Sequence, residues 1–167
     1  LLVERPRYEE LLERLAKAFG ALRVGPALDD LDCGPLIRAS QLERVRGFLA
    51  EASRDKLPVA GQGAIAATAP ASGYYVAPTL VRDVPPSSRL AREEVFGPVL
   101  AAMPFDDEAH AVKLANGTHF GLVAGVWTRD VGKAHAVAAR LKAGTVWVNC
   151  YNVFDAALPF GGYKQSG

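Results

Sequence analysis

Cysteine is scarce in this sequence. Its two thiols, Cys33 and Cys150, stand far apart, which excludes a disulfide framework or a cysteine-based metal spacing. That usage fits a reducing compartment, so a cytoplasmic protein is expected. Charge of one sign is also missing. With 19 basic and 18 acidic residues the net charge is +1, and no global field draws in nucleic acid or a membrane surface. No apolar run approaches the roughly 20 residues of a membrane span, and no signal-peptide pattern is present. His110, His119 and His135 lack metal-ligand spacing, so no metal site is expected. Internal repeats and low-complexity linkers are absent as well. What is present is ordinary: 50% hydrophobic and 22% charged residues in a chain of 167, the composition of one globular domain able to bury a core without staples. The chain opens Leu1-Leu-Val-Glu4 without a methionine and stops at Lys164-Gln-Ser-Gly167, so both ends read as cut from something longer.

Periodicity organises the chain. Pro6 is placed to open a helix through Arg7–Phe19, with Leu11, Leu12, Leu15 and Phe19 on one face. Ser40 and Glu43 form a capping-box pattern for a second helix bearing Leu42, Val45 and Leu49. A short strand is expected at Pro58–Ala60, then an exposed loop, and Tyr74–Val84 reads as extended until Pro85-Pro86 ends it. From Gly97 onward the pattern becomes regular. Val99–Phe105, Leu122–Trp127 and Thr145–Asn149 are strand-like. Asp106 and Asp130 are the expected caps of the two helices between them. Two strand–helix–strand units in series require crossovers, so these three strands are expected to lie parallel in one covered sheet. The fold class is α/β, and in such sheets ligands gather beyond the carboxyl ends of the strands. The third strand delivers Asn149-Cys-Tyr-Asn-Val-Phe154 to that edge.

Several motifs carry two meanings. "REEVFGPV" (Arg92–Val99) sets two glutamates before an aromatic, a glycine and a proline. It suits either a solvated helix end or a grip for a sugar hydroxyl, made of a carboxylate, a flat apolar face and approachable backbone. Cys150, after a strand, fits a nucleophile or a structural thiol, and no Cys/His signature surrounds it. "PFGGYKQSG" (Pro159–Gly167) has the glycines, lysine and serine of a phosphate loop but not their order, and "GQG" (Gly61–Gly63) lacks the third glycine of a dinucleotide fingerprint. Trp147, Tyr151, Phe154 and Phe160 crowd the last strand and its loop, as core packing or as an apolar pocket. No general base stands beside a nucleophile.

Taken in order, "EEVFGPVL", "LANGTHFGLVAGVWTRD", "AGTVWVNCYNVF" and "PFGGYKQSG" resemble the C-terminal catalytic portion of the NAD(P)-dependent aldehyde dehydrogenases. "DCGPLI" and "GYYVAPTLV" resemble upstream segments of the same portion, so the likeness covers Leu1 to Gly167. The resemblance implies a mostly parallel open sheet with covering helices, of the aldehyde dehydrogenase catalytic-domain type. It also implies roles. The second glutamate of the first motif, Glu94, holds the hydroxyls of the nicotinamide ribose, and Phe96 packs against the ribose and nicotinamide of NAD or NADP. Glu93 is then the solvated neighbour. Phe154 and Phe160 are implied walls of the aldehyde tunnel. Asp155 stands where many relatives carry a small residue, which suits a more polar substrate or a side chain turned outward.

The reaction implied is oxidation of an aldehyde to a carboxylic acid through a cysteine thiohemiacetal and thioester. In the family the nucleophile lies shortly before the segment matching Leu1, with the base glutamate, the oxyanion-hole asparagine and the Rossmann half further upstream. Neither Cys33 nor Cys150 inherits the nucleophile's position. The expectation is therefore a single catalytic-domain fragment over residues 1–167, without its cofactor-binding domain and inactive alone. Its full enzyme takes an aldehyde and forms a homo-oligomer, a dimer or tetramer. The alternative is a non-catalytic assembly module of the same fold. A relative acting on semialdehydes or aldehyde–thioesters would want a cationic cluster near the pocket, for which Lys164 is the only candidate.

Overall fold

Pro6 occupies the first turn of α1 (Arg5–Ala21), where its missing N–H costs no helix bond. The helix buries Tyr8 and Leu12, with Leu11, Leu15 and Phe19 partly covered beside them. The expected apolar face is thus the one that packs. The computed structural model describes residues 1–167, and the chain divides into two compact units, Leu1–Pro104 and Phe105–Gly167.

The first unit is built on β5 (Thr79–Val81), a strand whose three residues are all buried. It pairs antiparallel with β3 (Val59–Gln62) and parallel with β6 (Val99–Ala101). Successive side chains of a strand point to opposite faces, and the two cores follow from that. Leu80 joins Val3, Tyr8 and Leu12 under α1. Val81 joins Leu42, Val45, Phe48 and Ala52 of α2 (Ala39–Arg54), together with Val95. Only Thr79–Val81 of the expected extended stretch Tyr74–Val84 enters a ladder. The expected capping box is displaced: Arg38 is the N-cap of α2, without a side-chain bond. Its carbonyl already accepts from the backbone N–H groups of Gln41 and Leu42, so Ser40 falls inside the first turn.

The run expected as one strand from Val99 to Phe105 divides at Ala102. Its N–H donates to the Val81 carbonyl, its own carbonyl accepts from the N–H of Val84, and Met103 turns to the Leu1 carbonyl. Residues Met103–Phe105 then pair with Leu2–Glu4. This corrects the expectation of three neighbouring parallel strands in one sheet: the ladder bonds of Val99–Ala101 go to Thr79–Val81.

The second unit holds the other two strands. Writing α4 for Glu108–Ala115, β8 for Val123–Val126, α5 for Val131–Arg140 and β9 for Thr145–Val148, β8 and β9 pair in parallel from Val123↔Thr145 to Val126↔Val148, with α5 as the crossover. Asp130 caps α5 as expected, accepting from the Lys133 N–H at 3.0 Å. The cap of α4 is Asp107, which accepts from the His110 N–H at 2.8 Å, and Asp106 instead pairs with the His110 ring at 3.2 Å. The segment Pro159–Gly167 runs past the start of this sheet. Tyr163 N–H donates to the Gly121 carbonyl, and Gly121 N–H donates to Ser166 Oγ. A Cβ on Gly144 would run into the Gly161 carbonyl, so these glycines serve backbone-to-backbone approach. The fold is α/β, and no helix is long and apolar enough to cross a membrane.

Candidate functional site

The turn Glu93–Gly97 leaves the four-residue helix Arg89–Arg92, which Ser88 caps by accepting from the Leu90 N–H. Val95 is buried in the α2 core, whereas Phe96 is 69% exposed. Phe96 also has φ +53°, the left-handed region that a bulky side chain avoids. Gly97 follows because nothing larger fits: a Cβ there would stand 2.6 Å from Val45 Cγ2.

The two glutamates differ sharply. Glu93 Oε1 accepts from Arg89 Nε at 3.0 Å and Oε2 lies 3.5 Å from Arg44 Nη2. Arg89 also reaches Glu51 on α2, and both arginines stack on the Phe48 ring, at 4.2 and 5.0 Å from its centre. The hydrogen bond from Arg89, helped by the charge of both guanidiniums, holds the Glu93 carboxyl below its ordinary value. Glu93 was expected to be merely solvated; instead it belongs to an ion-pair network. Glu94 is exposed, and its carboxylate bonds nothing in the protein. Only its backbone carbonyl is engaged, accepting from Arg44 Nη2 at 2.8 Å. The turn therefore presents one free carboxylate and one bare aromatic ring two residues apart.

Phe154 and Phe160 lie in the second unit and are brought together, edge to face, with ring centres 5.1 Å apart. Trp147 on β9 meets Phe154 at 5.5 Å and Tyr151 at 4.9 Å, and its ring N–H donates to the Val153 carbonyl. Trp147 is buried, while Tyr151, Phe154 and Phe160 are more than half exposed. The aromatics divide accordingly between core and surface. Asp155 Oδ1 accepts from the Ala157 N–H at 2.8 Å, so its carboxylate shapes its own turn. Lys164 Nζ donates to the carbonyls of Asn116 and Thr118, both at 3.0 Å, closing the end of α4. It is committed to that helix terminus.

Beyond the carboxyl ends of β8 and β9 lies an open cleft of about 670 Å³, lined by Trp127, Arg129, Val131 and Asn149 among others. Asn149 joins the two strand ends: with φ +53°, its side chain both accepts from and donates to the Thr128 backbone. This cleft does not include Phe154 or Phe160. Cys33 sits in a backbone bridge beside Val24, and both cysteines are half-buried. Sequence reasoning missed Gln41 and Arg44 of α2, whose side chains bond the Glu94–Phe96 backbone. Their spacing of three along the helix was the only signal available.

Comparison with known proteins decides the family. The model of the aldehyde dehydrogenase family matches residues 1–167. The chain belongs to the aldehyde dehydrogenase family. A Burkholderia cenocepacia crystal structure assigned as an aldehyde dehydrogenase shares 59% identity and superposes with a TM-score of 0.96, covering 99% of this chain and 35% of that one. The NAD+ complex of Bacillus cereus aldehyde dehydrogenase shares 39% identity at a TM-score of 0.90, covering 98% of this chain and 33% of that one. The betaine aldehyde dehydrogenase of Cereibacter sphaeroides is 43% identical over 100% of this chain and 34% of its own length. The chain thus spans about a third of the length of these dehydrogenases.

Proposed function

We propose that residues 1–167 are the catalytic-domain portion of an NAD(P)-dependent aldehyde dehydrogenase that oxidises an aldehyde to a carboxylic acid. In this reading Glu94 and Phe96 hold the nicotinamide ribose, and Phe154 and Phe160 wall the aldehyde. The observation that carries it is the unequal use of two neighbouring carboxylates. Both oxygens of Glu93 face arginines, whereas Glu94 keeps its lone pairs free for two vicinal hydroxyls. Phe96 adds an exposed ring face against which a flat heterocycle packs. When bound, the nicotinamide nucleotide supplies the hydride acceptor. The chain's own part is to hold the ribose at the Glu94 carboxylate, to support the ring on Phe96, and to keep water from an apolar aldehyde with the Phe154–Phe160 pair.

The attacking thiolate is not assigned to Cys33 or Cys150. Residues 1–167 alone therefore form no NADH from aldehyde and NAD+, and a rate above that of a heat-killed control would refute this. In the intact polypeptide, Glu94→Gln should raise KM for the nucleotide by about tenfold, the scale of one charge-assisted hydrogen bond. Glu93→Gln should leave it within about twofold. Equal effects of the two would sink the cofactor assignment. Self-association of the intact polypeptide without any nucleotide binding would favour the assembly module instead.

A further inference from the structure

Asparagine is scarce in this chain, and of Asn116, Asn149 and Asn152 only Asn116 precedes a glycine. An Asn-Gly pair is reactive because no Cβ shields the glycine nitrogen. That nitrogen attacks the asparagine Cγ, a C–N bond forms and ammonia leaves. Water then opens the succinimide to aspartate or isoaspartate. No oxidant or cofactor takes part.

The fold holds the reacting atoms of Asn116 and Gly117 apart. Asn116 ends α4 with φ −82° and ψ −6°, so the Gly117 nitrogen nearly eclipses the backbone nitrogen of Asn116. Ring closure needs it beside Cβ instead. The Gly117 N–H is also engaged, donating to the Leu114 carbonyl at 3.0 Å. The side chain is tied across to the end of α5: Nδ2 donates to the Arg140 carbonyl at 2.9 Å, and Oδ1 accepts from the Lys142 N–H at 2.8 Å. These two bonds clip the helix ends together, and they need one donor and one acceptor on the same side chain. An aspartate at 116 keeps the acceptor for Lys142 but sets an oxygen against the Arg140 carbonyl. Isoaspartate adds a methylene to the main chain besides.

We infer that Asn116 is a modification site with a structural gate: deamidation at Asn116-Gly117 proceeds when the end of α4 opens, and its product keeps the α4–α5 clip from closing again. The gate is a local opening of the helix end, short of unfolding the unit. A reversible fluctuation thereby becomes a permanent change.

The test incubates the intact polypeptide and a synthetic peptide of residues 112–121 in mildly alkaline buffer, and follows aspartate and isoaspartate at position 116 by peptide mapping. Each side-chain bond of the clip is worth about fivefold in the opening equilibrium, so the folded polypeptide should convert at least about 25-fold more slowly than the peptide. Urea that unfolds the polypeptide should bring it to the peptide rate. An equal rate in the folded polypeptide would overturn the gate. An unreactive Asn116 in both the peptide and urea would overturn the site. Asn116→Asp then stands in for the product. Its hydrogen–deuterium exchange should rise about fivefold in the segments 116–118 and 140–144, with exchange in α1 unchanged. Unchanged exchange in those segments would overturn the clip, and so would an equal rise in α1, which marks general destabilisation.

Discussion

At the scale of single residues, the chain settles which of two adjacent glutamates is structural. Glu93 has a folded pKa held below its ordinary 4.5 by Arg89 and Arg44. A depressed carboxylate contributes stability that is complete above the unfolded pKa and is lost as pH falls through the lower folded value. The thermal midpoint should therefore fall on acidification below about 4.5, and Glu93→Gln should flatten part of that fall. A wild-type slope in the variant would contradict the pairing. Phe96 is the opposite case, a residue the fold tolerates at a cost. Phe96→Gly removes the left-handed penalty, since glycine adopts positive φ freely. Denaturant unfolding should show a gain of about 1 kcal/mol, while nucleotide affinity falls. A loss of stability would mean that the exposed ring packs more than its 69% exposure implies.

At the scale of elements, helices were legible because their apolar stripes and punctuation are local. Pro6 and the Asp130 cap were read directly, and α1, α2, α4 and α5 all formed near their expected places. The caps differ where neighbouring residues compete. Asp106 and Asp107 are both able to cap α4, and the structure uses Asp107. Asp107→Ala and Asp130→Ala should each cost about 1 kcal/mol, and Ser40→Ala should cost almost nothing because its hydroxyl caps no helix. Chemical denaturation of the three variants checks the order, and an equal cost for Ser40→Ala would restore the capping box at Ser40. Strand partnership was not legible. Val99–Phe105 reads as one apolar run, yet its first half pairs with Thr79–Val81 and its second with Leu2–Glu4, choices set by contacts far along the chain. Gln41 was hidden for the same reason: its acceptors lie 54 and 55 residues away.

At the scale of the whole molecule, family membership was legible because four ordered motifs survive in one chain. The roles proposed for individual residues rest on that likeness. The structure adds the contrast between an occupied and a free carboxylate, and the helix that grips their turn. The first unit carries Glu94 and Phe96, the second carries Phe154 and Phe160, and each pair is assembled within its own unit. The most direct test of the account is calorimetric titration of the intact polypeptide with NAD+ and, separately, with ADP, which lacks the nicotinamide ribose. For Glu94→Gln the account predicts about tenfold weaker NAD+ binding with ADP affinity unchanged. Equal weakening of both ligands, or of neither, would contradict the assignment of Glu94 to that ribose.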